Sequence, residues 1–200
     1  MSSIRERQKV ARREQILEAA RKLFMKLGYS KTNMDAIADA AVVGVATIYT
    51  YFDSKEGVLA EIYRKDWDEI RLRAEQVLKD LPKNPAESIV ALLDTYEQGL
   101  DFVSHKFTVD FFIQSKTAGP VRDATNWSHD WQIDQIRTAL ELGQKAGTVS
   151  SALDVNVASM VVLDLHFRHL GRIAGETYTP AVGHRDLEKS IRILFDNWRA

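Results

Sequence analysis

The 200-residue sequence contains no cysteine, only four prolines and no long uninterrupted hydrophobic segment. Without cysteine the chain has no disulfide framework, no thiolate nucleophile and no cysteine-ligated zinc site, and nothing indicates an oxidising compartment. No stretch reaches the roughly 18 consecutive apolar residues that a membrane helix requires, and the basic N-terminus is not followed by the apolar segment of a signal peptide. We therefore expect a cytoplasmic protein that neither spans a membrane nor is exported.

The sequence also lacks the motifs that carry most enzyme chemistry. It has no Gly-x-Ser-x-Gly or His-Glu-x-x-His motif, no phosphate-binding loop and no dinucleotide-binding glycine signature. An enzyme would therefore have no recognisable nucleophile, metal site or cofactor site, and we expect no cofactor. Because 45% of the residues are hydrophobic, the chain can still bury a packed core.

Basic and acidic residues are unevenly distributed, although the net charge is only −1. Residues 1–55 contain ten basic and six acidic side chains, a net charge of +4, whereas the rest contains 17 basic and 22 acidic side chains, a net charge of −5. Because phosphate neutralisation supplies most non-specific affinity for nucleic acid, only the N-terminal part is expected to attract it. Residues 1–8 are predicted to be disordered, with Arg5, Arg7 and Lys9 available to the DNA backbone or minor groove.

Residues 33–55, NMDAIADAAVVGVATIYTYFDSK, have the pattern of a helix-turn-helix. A short first helix is predicted to begin after a cap at Thr32 or Asn33 and to end near Ala41. In the second helix Ile48 and Phe52 are four residues apart on one face, which predicts an anchoring face and a separate reading face. Two helices joined by a short turn also occur in ordinary helical bundles, so this pattern alone does not establish DNA binding.

The residues around this motif resemble the tetracycline-repressor (TetR) family of bacterial regulators. In two places the sequence departs from the family pattern: Val42 replaces the usual turn glycine, and Gly44-Val45 replaces a frequent Ser-Lys. A left-handed β-branched residue costs roughly 1 kcal/mol or more, so we expect a different turn in which Gly44 absorbs the strain. The resemblance is carried by Phe24, Gly28, Tyr29, Thr32, Ile37-Ala38, Thr47-Ile48-Tyr49, Tyr51-Phe52 and Ser54-Lys55.

The resemblance implies a role in DNA binding for individual residues of the motif. Because several of the side chains expected at base edges are apolar, we predict readout through thymine methyl groups more than through guanine. The implied base-edge contacts are Val45, Ala46, Thr47, Tyr49 and Thr50, with Asp35 also facing a base, and the implied phosphate contacts are Asn33, Tyr51 and Lys55.

We expect an all-α fold in two domains. The predicted division is a three-helix DNA-binding domain at residues 1–54 and a helical effector-binding and dimerisation domain at residues 55–200. Residues 81–85 are predicted to be a linker and residues 177–183 a loop. Apolar residues at helical spacing predict helices at about residues 10–27, 55–81, 89–103, 107–116, 121–146, 155–176 and 186–198.

Aromatic residues are frequent in the second predicted domain, where they have two interpretations. They are either ordinary core residues or the walls of an apolar ligand cavity in which a few polar groups fix orientation. The candidate ligand-binding residues are Trp67, Tyr96, Phe111, Phe112, Trp127, Trp131, His166 and His169.

His166 and His169 are three residues apart, a spacing that would allow both imidazoles to bind one metal ion. No cysteine and no acidic partner at helical spacing completes such a site, so we predict no metal. The alternatives are ordinary buried or interface hydrogen bonds, or polar contacts in a ligand pocket together with Asp164, Arg168 and Arg172.

The last two predicted helices carry more apolar surface than a single contact needs. Pairing of both helices with their symmetry mates in a homodimer would bury the excess in a four-helix bundle. Two reading helices related by a two-fold axis would then reach successive major grooves about 34–36 Å apart. The predicted interface consists of Leu163, Phe167, Leu170, Gly171, Ala174, Leu187, Ile191, Leu194 and Trp198.

These observations predict a homodimeric transcriptional repressor that binds a palindromic operator in double-stranded DNA. A small, hydrophobic effector entering the second domain would release it, through a population shift between two arrangements of the dimer. One alternative is a DNA-binding protein of the same build that is controlled by a protein partner. The other is a helical enzyme.

Overall fold

The structure, a computed structural model, describes residues 4–98, 111, 113–117 and 119–200. Within these ranges the chain is helical and contains no strand, which confirms the predicted all-α class. No helix in the described part is long and apolar enough to cross a membrane. The principal helices are α1 (Ile4–Leu27), α2 (Met34–Ala40), α3 (Val45–Tyr51), α4 (Lys55–Lys79), α5 (Pro85–Gln98), α6 (Gly119–Lys145), α7 (Val155–Ala174) and α8 (Pro180–Trp198).

The chain divides into two compact units whose boundaries fall inside α4 and α6. The first unit comprises Met1–Asp66 and Val103–Asn126, and the second comprises Trp67–Phe102 and Trp127–Ala200. This differs from the predicted division at residue 54 because the core of α1–α3 is completed by residues from later helices. Those residues are Val58, Leu59, Ala60 and Ile62 of α4 and Val121 and Ala124 of α6, all buried.

Helix α1 begins earlier than predicted, at Ile4, so the expectation of disorder to residue 8 is wrong for residues 4–8. Glu6 lies in the first turn, where a negative charge interacts favourably with the helix dipole. The predicted end is confirmed: Gly28 has φ 87°, and its amide donates to the carbonyl of Phe24 at 2.9 Å. Glycine is needed at this position because other residues adopt positive φ only at a cost.

The segment predicted as a loop at residues 177–183 instead contains the start of α8. The Thr179 hydroxyl accepts a hydrogen bond from the Val182 amide at 3.3 Å, and Pro180 follows in the first turn. Proline there indicates a helix start, since the first helical amides have no partner within the helix. Gly183 is buried, and Ile173 of α7 occupies the space that a Cβ would need.

In the second unit, α7 packs against α8, and α5 packs against α8 as well. Most of the buried apolar side chains come from these three helices. The amide of Ser150, in the turn before α7, donates to the carbonyl of Trp198 at 2.8 Å and so joins that turn to the end of α8. The core includes Ile89, Leu92, Leu93, Val162, Leu163, Leu187, Ile191 and Phe195.

Candidate nucleic-acid interface

Helix α2 is capped by Asn33, the second of the two predicted caps. The Asn33 side-chain oxygen accepts from the Ala36 amide at 2.8 Å. Thr32 is buried instead, and its hydroxyl donates to the carbonyl of Gly28 at 2.9 Å. Met34 and Ile37 anchor the buried face of α2, whereas Asp35 is exposed.

The turn between α2 and α3 places its strain at Val42. The Val43 amide donates to the Ala38 carbonyl at 3.0 Å and the Val42 amide to the Asp39 carbonyl at 3.1 Å, which together form a Schellman motif. Val42 occupies the left-handed position of that motif with φ 53°, and its side chain is 82% exposed. The expectation that Gly44 absorbs the strain is therefore wrong, since Gly44 is extended at φ −70° and ψ 145°.

Helix α3 has the two faces that its sequence predicts. Ile48 is fully buried and Phe52 nearly so, whereas Tyr49 is 52% exposed. Ala46 and Thr50 are also exposed, and the Thr50 hydroxyl donates to the Ala46 carbonyl at 3.0 Å. The other predicted contact residues of this helix are half-buried, namely Val45, Thr47 and Tyr51. Val45 and Tyr51 also pack against the core.

Lys55 has internal partners that the sequence did not indicate. Its ammonium donates to the carbonyls of Tyr29 at 3.0 Å and Thr32 at 2.9 Å, and it lies 4.1 Å from the centre of the Tyr29 ring. These contacts join the start of α4 to the segment before α2 and leave one N–H of the ammonium for a phosphate. The implied phosphate contact of Lys55 stays a prediction.

Tyr29 also contacts the next residue of α4. Its hydroxyl donates to the Glu56 carboxylate at 2.7 Å. Burial acts to raise the pKa of Glu56, but hydrogen bonds, first among them the one from Tyr29, outweigh it and hold that pKa below its usual value.

A cleft of about 690 Å³ separates the first half of α1 from the end of α3. Arg5, Lys9 and Arg12 follow one face of α1 at spacings of four and three residues, and they line the cleft opposite Thr50 and Tyr51. Arg5 and Lys9 were predicted from the sequence to contact DNA, whereas Arg12 was not, although its helical spacing indicates it. Each of these three cations can pair with a phosphate of a nucleic-acid backbone.

Neighbouring basic residues of α1 are used inside the first unit. Arg13 pairs with Glu61 at 2.7 Å and lies over the Phe52 ring, 5.2 Å from its centre. Arg21 pairs with Asp66. These ion pairs fix α1 to α4 within the unit.

Four of the predicted ligand-binding residues come together in the second unit. The rings of Trp67, Tyr96 and Trp131 are mutual neighbours, with centroids 5.8 to 6.0 Å apart, and His166 lies 6.3 Å from Tyr96. Trp127 joins them through Arg71, whose guanidinium carbon lies 5.8 Å from the centre of the Trp127 ring and 5.9 Å from that of Trp131.

The other three predicted ligand-binding residues do not join this cluster. Phe111 stacks on Tyr63 in the first unit at a centroid distance of 4.4 Å, and its assignment to the ligand site stays a prediction. His169 lines a separate groove with Arg168, Arg172 and other residues of α7 and α8. Phe112 lies outside the described residues.

The buried polar atoms of the cluster that lack a hydrogen-bond partner among the described residues include the Tyr96 hydroxyl, Nδ1 of His166 and Nε of Arg71. Burial, with a smaller contribution from nearby His169, lowers the pKa of His166 to about 3. Burial also raises the pKa of Tyr96. Both side chains are therefore uncharged at neutral pH. The described residues contain no group of three histidine, cysteine or acidic side chains that could hold a metal ion.

The predicted dimer residues fall into two groups by burial. Leu163, Leu187 and Ile191 are already buried inside the protomer, so they could add little area to an interface, and their place in it stays a prediction. Phe167, Leu170, Ala174, Leu194 and Trp198 are half-buried and Gly171 is exposed. Four exposed apolar side chains on the same two helices lie outside the predicted set: Val157, Met160 and Val161 on α7 and Ile193 on α8.

Residues 16–62 match the model of a family described as bacterial regulatory proteins, tetR family. Over 162 residues the chain is 29% identical to YhgD of Bacillus subtilis, an uncharacterised helix-turn-helix transcriptional regulator, with 78% of this chain and 81% of YhgD covered.

Solved structures extend the similarity along most of the chain. The fold superposes on Thermus thermophilus FadR, a TetR-family transcriptional repressor solved in complex with lauroyl-CoA, with a TM-score of 0.69 and 26% identity over 91% of this chain and 92% of FadR. It also superposes on Bacillus subtilis FadR in complex with stearoyl-CoA, with a TM-score of 0.72 and 21% identity over 91% of this chain and 96% of that protein.

Proposed function

Because this chain belongs to the TetR family of bacterial transcriptional regulators, we propose that it is a repressor whose homodimer binds a palindromic operator. A small molecule that enters the second unit would favour an arrangement of the dimer that does not fit adjacent major grooves. Such a molecule can shift the equilibrium only by as much as its affinity differs between the two arrangements.

The observation that carries this proposal is the exposed face of α3. Tyr49 is 52% exposed, with Ala46 and Thr50 beside it, while buried Ile48 holds the opposite face. The Thr50 hydroxyl hydrogen is already donated to Ala46, so its methyl group and oxygen lone pairs remain for DNA. We expect apolar contacts with thymine methyl groups, and phosphate contacts from the cations of the α1 cleft.

A homodimer is supported by the exposed apolar face of α7 and α8. Val157, Met160 and Val161 share one face of α7, and Ile193 is 64% exposed on α8. Gly171 is exposed in the last turn of α7 with no neighbour that would exclude a Cβ, so nothing in the described protomer explains an unfavourable residue at this helical position. Close approach by a second copy at Gly171 would explain it.

A small-molecule effector is supported by the aromatic cluster of the second unit and by the lauroyl-CoA complex of Thermus thermophilus FadR. Aromatic walls with a few polar groups are typical of ligand sites. Control by a protein partner has no comparable observation in its favour.

Selection of binding sites from random duplex DNA at low salt tests the proposal. We expect an inverted repeat with half-sites about one helical turn apart and thymine-rich contacted positions. Failure to bind any duplex would contradict the DNA-binding role. Contacted positions dominated by guanine would contradict the predicted readout through thymine methyl groups.

The dimer has its own test in sedimentation analysis. Val161→Glu places a charge on the exposed face of α7 and is expected to shift the protein toward monomers and to weaken operator binding. The control is Leu142→Glu, which changes an exposed leucine of α6 that lies outside this face. A Val161→Glu protein that remained as dimeric as the control would exclude this interface.

A further inference from the structure

The cluster in the second unit changes from accessible to buried along its length. Trp127, Trp131 and Arg71 are half-buried, whereas Tyr96 and His166 are almost completely buried, with 0% and 1% of their surfaces exposed. The half-buried residues are called the rim and the two buried residues the base of the cluster.

The base contains hydrogen-bonding groups that the described residues do not satisfy. An unsatisfied buried hydroxyl or imidazole nitrogen is unfavourable, because water satisfied it in the unfolded chain. Both groups are uncharged, and a carboxylate oxygen of Glu97 lies 3.6 Å from Nδ1 of His166. A second negative charge at the base would be repelled by Glu97, whereas a neutral oxygen would be accepted.

The rim, in contrast, favours a negative charge, because it carries the guanidinium of Arg71. This group lies over both indole rings, its Nε is buried without a partner among the described residues, and its ion pair with Asp68 is long at 4.0 Å. Arginine keeps its charge and its donors in any such site. An anionic group at the rim would gain a charge-assisted hydrogen bond from Nε.

We propose that the effector is a planar aromatic carboxylate with a neutral oxygen, such as a phenolic hydroxyl, at its opposite end. The hydroxyl would reach Tyr96 and His166, the ring would lie among the indoles, and the carboxylate would pair with Arg71. This inference rests on the proposed function, because it specifies which class of molecule controls DNA binding. It requires a ligand with polar groups at both ends, which a purely apolar effector does not have.

The direct test measures binding of defined probes to the full-length protein by calorimetry and tryptophan fluorescence, without DNA. The probes are 4-hydroxybenzoate, benzoate, which lacks the hydroxyl, and phenol, which lacks the carboxylate. We expect 4-hydroxybenzoate to bind about tenfold more tightly than either, as one buried hydrogen bond or ion pair implies. Equal affinity for the three probes, or no binding of any, overturns the proposal.

Two variants assign the ends of the ligand. Tyr96→Phe is expected to weaken binding of 4-hydroxybenzoate about tenfold and to leave benzoate unchanged. Arg71→Met is expected to weaken the binding of 4-hydroxybenzoate and of benzoate and to leave the affinity for phenol unchanged. Tyr178→Phe is the matched control, since that hydroxyl accepts from Arg172 outside the cluster and its loss should change no probe.

A stability measurement separates a ligand contact from a structural role for Tyr96. Because the hydroxyl lacks a partner, Tyr96→Phe should raise the melting temperature of the ligand-free protein while it weakens binding. A lowered melting temperature would contradict the unsatisfied hydroxyl on which the inference depends. Operator binding by the probe-free protein is measured in parallel. If the protein does not bind the operator, the proposed function is refuted. If it binds the operator but none of the probes, only the effector class is refuted.

Discussion

The two units differ in whether their buried polar side-chain atoms have hydrogen-bond partners. In the first unit Thr32 donates to Gly28, Tyr29 donates to Glu56, and Lys55 donates to two carbonyls, so side chains around the helix-turn-helix are joined by hydrogen bonds. No described residue of the first unit has a buried side-chain polar atom without a partner. In the second unit Tyr96 and His166 have such atoms.

This difference indicates that the two units are suited to different kinds of recognition. A DNA-reading surface gains affinity when its side chains are fixed before binding, because less conformational entropy is then lost. A ligand site can instead leave polar groups unpaired until the ligand supplies their partners. The comparison therefore predicts that changes in the first unit cost stability or DNA affinity, whereas some changes in the second unit cost only ligand affinity.

The largest effect is expected from Ile48→Ala in α3. Ile48 is fully buried, so the truncation should lower the free energy of unfolding by roughly 2–5 kcal/mol, measured by denaturant titration. The matched change on the exposed face, Tyr49→Ala, should leave stability within about 0.5 kcal/mol and weaken operator binding. If Tyr49→Ala were as destabilising as Ile48→Ala, α3 would not have separate anchoring and reading faces.

A smaller loss is expected from Lys55→Met, which keeps the aliphatic stem and removes the ammonium. The two carbonyls of Tyr29 and Thr32 would lose their donor, which should lower stability by about 2.5 kcal/mol. If the remaining N–H also binds a phosphate, its loss removes one phosphate contact. The slope of the logarithm of operator affinity against the logarithm of salt concentration should then decrease in magnitude by roughly one. Unchanged stability would contradict the internal role of Lys55.

Much of the helical pattern, including the faces of α3, could be predicted because helical periodicity is local. Ile48 and Phe52 are separated by one turn, so their spacing alone places them on one apolar face, which is the face that the structure buries. The position of Gly28 was predictable for the same reason, since the residue that ends a helix has its own conformational requirement.

Long-range partners could not be predicted in this way. Lys55 contacts the carbonyl of Tyr29, 26 residues earlier, and a lysine that binds a carbonyl is indistinguishable in sequence from one that awaits a phosphate. Phe111 belongs to the core region of the first unit and not to the aromatic cluster, which depends on packing between distant helices. The start of α8 was missed because Pro180 favours both loops and first turns.

The stability of the second unit is expected to depend on pH through His166. The pKa of His166 is about 3 in the folded protein against a usual value of 6.5, so between these values the unfolded chain binds a proton that the folded chain does not. The contribution of neutral His166 to stability is complete above pH 6.5 and is lost as the pH falls, by about 2 kcal/mol at pH 5.

His166→Gln provides the control for that measurement, because it removes the titrating group and leaves every carboxylate in place. The difference in unfolding free energy between pH 7 and pH 5 should be smaller in this variant by about 2 kcal/mol. Identical pH profiles for the two proteins would mean that His166 is protonated in the folded state or accessible to water.

The smallest effect is expected at Val42, where a β-branched residue occupies a position that favours glycine. Its side chain is 82% exposed and contributes little packing, so Val42→Gly should relieve the left-handed strain and raise the unfolding free energy by about 1 kcal/mol. Glu176, with φ 56°, occupies the equivalent position after α7, and Glu176→Gly provides the comparison in the second unit. Because Glu176 is not β-branched, its gain should be smaller than that of Val42. A Val42→Gly protein that was more stable but bound the operator more weakly would show that valine in this turn fixes the geometry of α3 for reading DNA.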